Sequence, residues 1–435
     1  MGMNDICPDR KYAAMLLAAT VLAGFLRLWG VGGQPALSDE IGAAVSAVNY
    51  MENGSFGPTM WYHPNLRNIV LYLAGQAFGY GPYALRGASL LAGILSVPLL
   101  GLLSYALTRN RGASLLAAFL LAVEQVHITF SRQAIQETWT AFFFLAGTLL
   151  AVLFCRKGNT RLIMLSGIAF GLGISSKLHA LFPLLVCLAA GLTGALKERS
   201  AWKAMTVVSC LVFLPLLIYL LTYIPWFGRG YDLFDWLRMQ QAVFEKMATH
   251  TGNPMDQVID TQPWQWFLRP MGYANFVFSE GTPHVTIAYS NPLVWLLVLP
   301  ASVFLLWRSR AAFRGASISA GAVPAPRDQG LAGLPWLLSL FAASYLPLAV
   351  SPRPIWLLSS LAVIPFAFLL VSLALCLWAG TARQGRKALA AYLILVSVAS
   401  LAIYPMARGE AKHYSYLRPV AERFRPPFER AGTTP

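Results

Sequence analysis

The sequence predicts an all-α polytopic membrane protein, and three observations carry that expectation. Of its 435 residues, 57% are hydrophobic and only 12% charged, about half the roughly 25% charged residues of soluble domains. Apolar runs long enough to cross a bilayer, roughly 17–25 residues each, recur along almost the whole length. Short basic clusters alternate with acidic connections between those runs, the pattern by which cytoplasmic Lys and Arg orient a polytopic chain. The short alternating segments of an outer-membrane barrel do not occur.

The elements follow in order. Arg10-Lys11 precedes an apolar run from Tyr12 to Gly30. That run exceeds the 7–15 apolar residues of a signal sequence and contains Arg27, so it reads as a retained first span. Eleven spans are expected, at 12–30, 83–107, 112–130, 137–155, 161–176, 178–196, 204–224, 291–307, 331–350, 355–378 and 387–404. The basic connections at Arg10-Lys11, Arg109 with Arg111, Arg156-Lys157 with Arg161, Lys197 with Arg199 and Lys203, Arg308 to Arg327, and Arg383 with Arg386-Lys387 hold about half of the 33 Lys and Arg. They place the N-terminus in the cytoplasm and the tail, 405–435, outside. Asp5, Asp9, Glu198 and Asp328 are the acids on the cytoplasmic side; the others fall outside or at the outer membrane face.

The net charge of +15 therefore reads as membrane orientation and not as a nucleic-acid surface. The five cysteines lie near the N-terminus or inside apolar runs and offer neither a disulfide framework nor a metal spacing. Residues 316–330, rich in Ser, Gly, Ala and Pro, read as a flexible cytoplasmic linker.

Two outer loops are long, 31–82 and 225–290, and loops of that length are usually functional. The first contains an apolar stretch, 69–78, too short to span and suited to lie in the interface. No inverted repeat with interrupted helices is visible, which counts against a transporter of anionic lipids, the reading of a different class.

On this topology a set of ionisable residues gathers at one membrane face. Asp39 and Glu40 follow the first span; Arg132 and Glu137 lie between the third and fourth; Lys177 and His179 sit between the fifth and sixth. Arg269 lies in the second loop, and Arg353 between the ninth and tenth spans. Charges at the edge of apolar segments are costly and mark functional sites by default. For single residues a plainer role competes: Arg67 and Arg86 fit snorkelling anchors, and Glu124 and Glu137 fit packing acids. The coincidence of several cations with two carboxylates suits a lipid phosphate beside a general base that deprotonates an attacking hydroxyl.

The same residues resemble the protein O-mannosyltransferase family, membrane glycosyltransferases of the GT-C type that use polyprenyl-phosphate sugars. The resemblance runs through Asp39-Glu40, His63-Pro64-Asn65, Ser131-Arg132 with Glu137, and the run from Gly171 to Lys177. It continues through Gln262-Pro-Trp-Gln-Trp266 with Arg269-Pro270, Ser290 to Trp295, and Ser351-Pro-Arg-Pro354. Three positions depart from the pattern: Ser38 replaces an aromatic, Asn65 a Pro, and Leu178 a Trp. The first loop, with Ala43, Ala47 and Gly54, is also similar to aminoarabinose transferases acting on lipid A.

The resemblance implies a GT-C transmembrane domain over 1–404 and a multi-pass protein of the cell inner membrane with its site on the periplasmic side. It implies an inverting transfer of one sugar, mannose first, from a polyprenyl phosphate to Ser or Thr of an exported protein, with no cofactor or metal required. Transfer of a sugar such as aminoarabinose to lipid A or another envelope glycan is the alternative acceptor reading. In this picture Asp39 is the general base, with Glu40 supporting it. Arg132, Lys177, Arg353 and Arg269 bind the donor phosphate. His63, Asn65, Glu137, His179, Trp264, Gln265 and Trp266 position sugar or acceptor. For Trp264 and Trp266, interfacial anchoring remains the competing role. The histidines show no paired spacing for a metal.

Overall fold

The computed structural model describes residues 9–56, 63–249, 262–279, 282–316, 326–351, 355–380 and 382–423. Helix α1 (Arg10–Leu28) starts where Asp9 accepts the Tyr12 N–H at 2.8 Å, a side-chain cap on an otherwise orphaned donor. Helices α2 (Ser38–Asn53) and α3 (Leu66–Phe78) fill the first long loop and pack on each other. Gly54 ends α2 in the left-handed conformation, φ 67°, which a glycine adopts without steric cost.

Helix α4 (Pro82–Thr108) opens with proline, where the missing N–H costs nothing, and packs against α1 on one flank. Helices α5 (Arg111–Val123) and α6 (Gln125–Ser131) form one segment bent by 57°. The bend sits at Glu124, whose carboxylate accepts the Val126 N–H at 3.3 Å and the Trp295 indole N–H at 3.0 Å. Helices α7 (Gln136–Lys157), α8 (Thr160–Ser176) and α9 (Leu181–Lys197) follow, then α10 (Ala201–Val208) and α11 (Leu214–Leu221), joined through a π turn at Ser209–Phe213. Helices Val298–Ala316, Leu334–Ala349, Ile364–Ala379 and Arg383–Ala407 complete the bundle.

Among the described residues, eight helices are long and apolar enough to cross a membrane, and the α5–α6 pair makes a bent ninth. Two shorter apolar helices, Thr160–Ser176 and Ile364–Ala379, lie among them. These segments fall one by one on the eleven read from the sequence. Ile364–Ala379 is apolar on every side and accordingly lies inside, with Phe366, Phe368 and Leu370 fully buried. Met15, Leu17, Val21 and Phe25 on α1, and Trp202, Met205 and Phe213 further on, are exposed. Apolar exposure of that extent suits a lipid surround.

The second long loop departs from the all-α expectation. It holds an antiparallel hairpin, β1 (Gly272–Ser279) and β2 (Thr282–Tyr289). The hairpin is anchored to α6, where the Gln125 amide donates to the Ile287 carbonyl at 2.9 Å. Just after it, Asn291 caps the turn Pro292–Trp295 through the Leu293 N–H and donates to Ser400 Oγ at 2.9 Å. The Asn-Pro-x-x-Trp motif thus joins the hairpin, the last helix and Glu124 as a structural clamp. The C-terminal segment turns back over the first loop: Gln34 donates to the Ala407 carbonyl at 2.9 Å, and the Arg408 guanidinium lies 4.6 Å from the centre of the Trp29 ring.

Candidate active site

Ser38-Asp39-Glu40 forms the first turn of α2, where the helix dipole favours negative charge. Consecutive helical residues project about 100° apart, so the two carboxylates face different surroundings. Glu40 points into the protein. Its Oε1 accepts from Arg86 Nε at 2.8 Å and from the Ala134 N–H at 2.8 Å; its Oε2 accepts from Arg86 Nη2 at 2.7 Å and from the Leu37 N–H at 2.8 Å. The remaining Arg86 donors reach the carbonyls of Val31, Gln34 and Pro35.

Glu40 and Arg86 therefore form a closed, fully bonded unit. This corrects one expectation, since Arg86 is no snorkelling anchor. Glu40, with all its lone pairs taken, supports Asp39 by fixing the start of α2.

Asp39 stays open to solvent. Burial of its surroundings raises its carboxyl above the usual range; the negative charges of Glu137 and Glu40 push the same way, and Arg67 opposes them. Glu137, in the first turn of α7, accepts from Lys177 Nζ at 2.5 Å, an ion pair almost wholly buried. Arg67, in the first turn of α3, donates to Gln136 Oε1 at 3.2 Å. Asn65, at the head of the same helix, accepts from Asn68 at 3.2 Å, and its own Nδ2 is buried without a hydrogen-bond partner. Asp39, Arg67, Glu137 and Lys177 are thus one electrostatic cluster built from α2, α3, α7 and the end of α8.

Other expected site residues lie elsewhere. Arg132 is buried, and its guanidinium binds the carbonyls of Arg27 at 2.9 Å and Trp29 at 2.8 Å, with Gln34 Oε1 at 3.0 Å. It caps the C-terminus of α1 instead of joining the Asp39 cluster, the preferred place for a cation on a helix. His179 follows Lys177 and stacks on Phe182, with ring centres 6.4 Å apart. His63 is half-buried before Asn65. In the Pro-Trp-Gln-Trp turn the two tryptophans separate: Trp264 is 56% exposed, whereas Trp266 is 0% exposed and packs near Tyr345. Trp266 is therefore a core residue and cannot stack on a sugar. Gln265 and Arg269 are bonded to each other, with Arg269 exposed. Arg353 lies outside the described residues. Among those described, no three His, Cys, Asp or Glu side chains are arranged to share a metal ion.

The residue that sequence reasoning passed over is Arg67, taken for an anchor at a helix end. Its signal was its position two residues after Asn65, inside the His-Pro-Asn motif.

The family model for dolichyl-phosphate-mannose-protein mannosyltransferases matches residues 17–228, just under half of the chain and the part that carries this cluster. No curated protein sequence matches. Among solved structures, the protein O-mannosyltransferase Pmt1-Pmt2 complex of S. cerevisiae, bound to its sugar donor, superposes with a TM-score of 0.79 at 12% identity, over 94% of this chain and 91% of that one. The oligosaccharyltransferase AglB of Archaeoglobus fulgidus, in complex with an inhibitory peptide and a dolichol-phosphate, gives 0.52 at 12% identity over 96% and 60%. ArnT of Cupriavidus metallidurans, bound to undecaprenyl phosphate, gives 0.50 at 14% identity over 92% and 76%. At such identities the likeness is one of fold. Match and fold point the same way: the chain has the fold of GT-C membrane glycosyltransferases, and its residues 17–228 are similar to the dolichyl-phosphate-mannose-protein mannosyltransferases.

Proposed function

We propose that this protein moves one sugar, mannose, from a polyprenyl phosphate to a hydroxyl of an extracytoplasmic acceptor, Ser or Thr of an exported protein. The observation that carries the reading is the exposed Asp39 carboxylate, aimed by the Glu40–Arg86 unit and set within the fields of Arg67 and of Glu137, which itself holds Lys177. Asp39 takes the proton of the acceptor hydroxyl as its oxygen attacks the anomeric carbon. The bond from that carbon to the phosphate oxygen breaks on the opposite side, and the electron pair leaves with the lipid phosphate, so the configuration inverts. Arg67 and Lys177 stabilise the charge growing on that phosphate, the kind of electrostatic term that most favours a transition state. Glu137 holds Lys177 in place and keeps the Asp39 carboxyl basic. The family match and the donor-bound yeast neighbour support the choice of donor and sugar.

The test supplies membranes with labelled polyprenyl-phosphate-mannose and a Ser/Thr-rich peptide. Labelled peptide supports the reading. Label found only in a lipid extract moves the acceptor to an envelope lipid or glycan, and lipid flipping without any glycosyl product contradicts a transferase.

A further inference from the structure

At the other end of the bundle the chain gathers positive charge that sugar transfer does not use. Helix α7 runs 22 residues from Gln136, beside the Asp39 cluster, to Lys157. At 1.5 Å per residue that is about 33 Å, close to the roughly 30 Å of a bilayer's hydrocarbon core. The far end of α7 and the turn into α8 carry Arg156, Lys157 and Arg161. The end of α9 and the start of α10 carry Lys197, Arg199 and Lys203.

The two turns meet in space. Helix α9 packs on both α7 and α10. The Lys203 ammonium lies 5.7 Å from the centre of the Phe154 ring, in the last turn of α7. The α9–α10 turn is closed by its own bonds: the Ser200 N–H donates to the Ala195 carbonyl at 3.0 Å, and Ser200 Oγ accepts from the Lys203 N–H at 3.2 Å. The backbone that bears these cations is therefore fixed.

Their charge is unbalanced. Between residues 150 and 210 the sole acid is Glu198, and Lys203 pairs with it at 2.5 Å. Arg156, Lys157, Arg161, Lys197 and Arg199 are all exposed, five cations beyond that pair. Large apolar side chains frame them: Leu196, Trp202 and Met205 are 75%, 76% and 60% exposed. Helix dipoles and membrane orientation account for cations at single helix ends. Two such ends joined, with apolar side chains open between the charges, make a surface of two parts. An anionic phospholipid matches both. Its phosphate meets the Lys and Arg, and its acyl chains cover the apolar side chains. The indole suits the boundary, apolar over its rings and a donor at its N–H. Free phosphate would meet the cations alone and leave the apolar surface uncovered.

We propose that this end of the bundle binds an anionic phospholipid, its phosphate held by Arg161, Lys197 and Arg199 and its acyl chains lying against Leu196, Trp202 and Met205. The bound headgroup spans both turns and so ties the α7–α8 pair to the α9–α10 pair. The site is independent of the sugar-transfer reading, because the length of α7 separates it from the Asp39 cluster.

The full chain in detergent micelles provides the test, titrated with phosphatidylglycerol and followed by its thermal unfolding midpoint. A ligand of the folded state raises that midpoint. Phosphatidylcholine supplies the same chains without net charge, and inorganic phosphate supplies charge without chains. Phosphatidylglycerol should raise the midpoint well above either control. The triple variant Arg161→Gln/Lys197→Gln/Arg199→Gln should weaken the apparent affinity roughly ten-fold or more, since each surface cation adds to the attraction of an anionic headgroup. Trp202→Ser should weaken it as well. The charge-matched variant Arg383→Gln/Arg386→Gln/Lys387→Gln, at another basic turn, should respond as wild type does. Should the first triple variant not fold, Arg199→Gln alone, at an exposed position, carries the comparison. No shift with phosphatidylglycerol, or an equal affinity in wild type and the Arg199 variants, overturns the proposal. So does an equal loss in the charge-matched variant, or a shift from inorganic phosphate as large as that from the lipid. Failure of sugar transfer with the lipid response intact counts only against the proposed function.

Discussion

Glu137 and Lys177 are 40 residues apart in the chain and 2.5 Å apart in space, both nearly excluded from solvent. The pair ties the head of α7 to the end of α8 and fixes Glu137, whose charge acts on Asp39. Lys177→Gln should lower the turnover of sugar transfer by roughly 10²-fold, the usual effect of losing one charge-stabilising donor. Lys177→Arg should recover part of it. Steady-state kinetics on peptide and labelled donor checks both.

The Glu40–Arg86 unit should dominate local stability. Arg86→Ala leaves the Glu40 carboxylate buried and unpaired, a loss of about 3–5 kcal/mol. Arg86→Lys should rescue little, because an ammonium cannot supply the two-point contact. Thermal unfolding of detergent-solubilised protein reads both, and Arg86→Lys as stable as wild type would contradict the assignment.

Asp39 should set the acidic limb of the pH–rate profile, since the base works only when ionised and its carboxyl is held above the usual range. Activity then rises with pH through that raised value and is lost below it. Glu137→Gln removes a charge that raises the Asp39 carboxyl, so the limb should move to lower pH. Arg67→Gln removes a charge that lowers it, so the limb should move to higher pH. Profiles of kcat/KM for the two variants should shift in opposite directions.

The two tryptophans of the Pro-Trp-Gln-Trp turn should separate by phenotype. Trp266→Ala opens a hole in a close-packed core and should cost about 3–5 kcal/mol. Trp264→Ala, at a 56% exposed position, should stay within about 0.5 kcal/mol of wild type. If that indole meets the acceptor, its loss appears as a raised KM for the peptide; unfolding midpoints and KM together distinguish the two.

These contrasts show what was legible in the sequence. Asp39, Glu137 and Lys177 stood out because charge at the edge of apolar segments is conspicuous, and the segments themselves follow from hydropathy. Arg67, Arg86 and Arg132 did not separate, because arginines near helix ends look alike until the rotation of each helix is known. One joins the Asp39 cluster, one neutralises Glu40 and one binds carbonyls at the end of α1. The hairpin at 272–289 escaped notice since its strands are short and lie inside a loop defined only by its lack of spans. Trp264 and Trp266 sit two residues apart on a turn of about three residues per repeat, so they face different ways, which spacing in a motif does not reveal.

The most direct test of Asp39 as the base compares wild type with Asp39→Asn in two assays on the same preparation: binding of the polyprenyl-phosphate donor and transfer of its sugar to peptide. Donor binding should stay close to wild type while transfer falls by roughly 10²–10⁴-fold, the contribution of a general base. Transfer by Asp39→Asn at the wild-type rate would contradict the account.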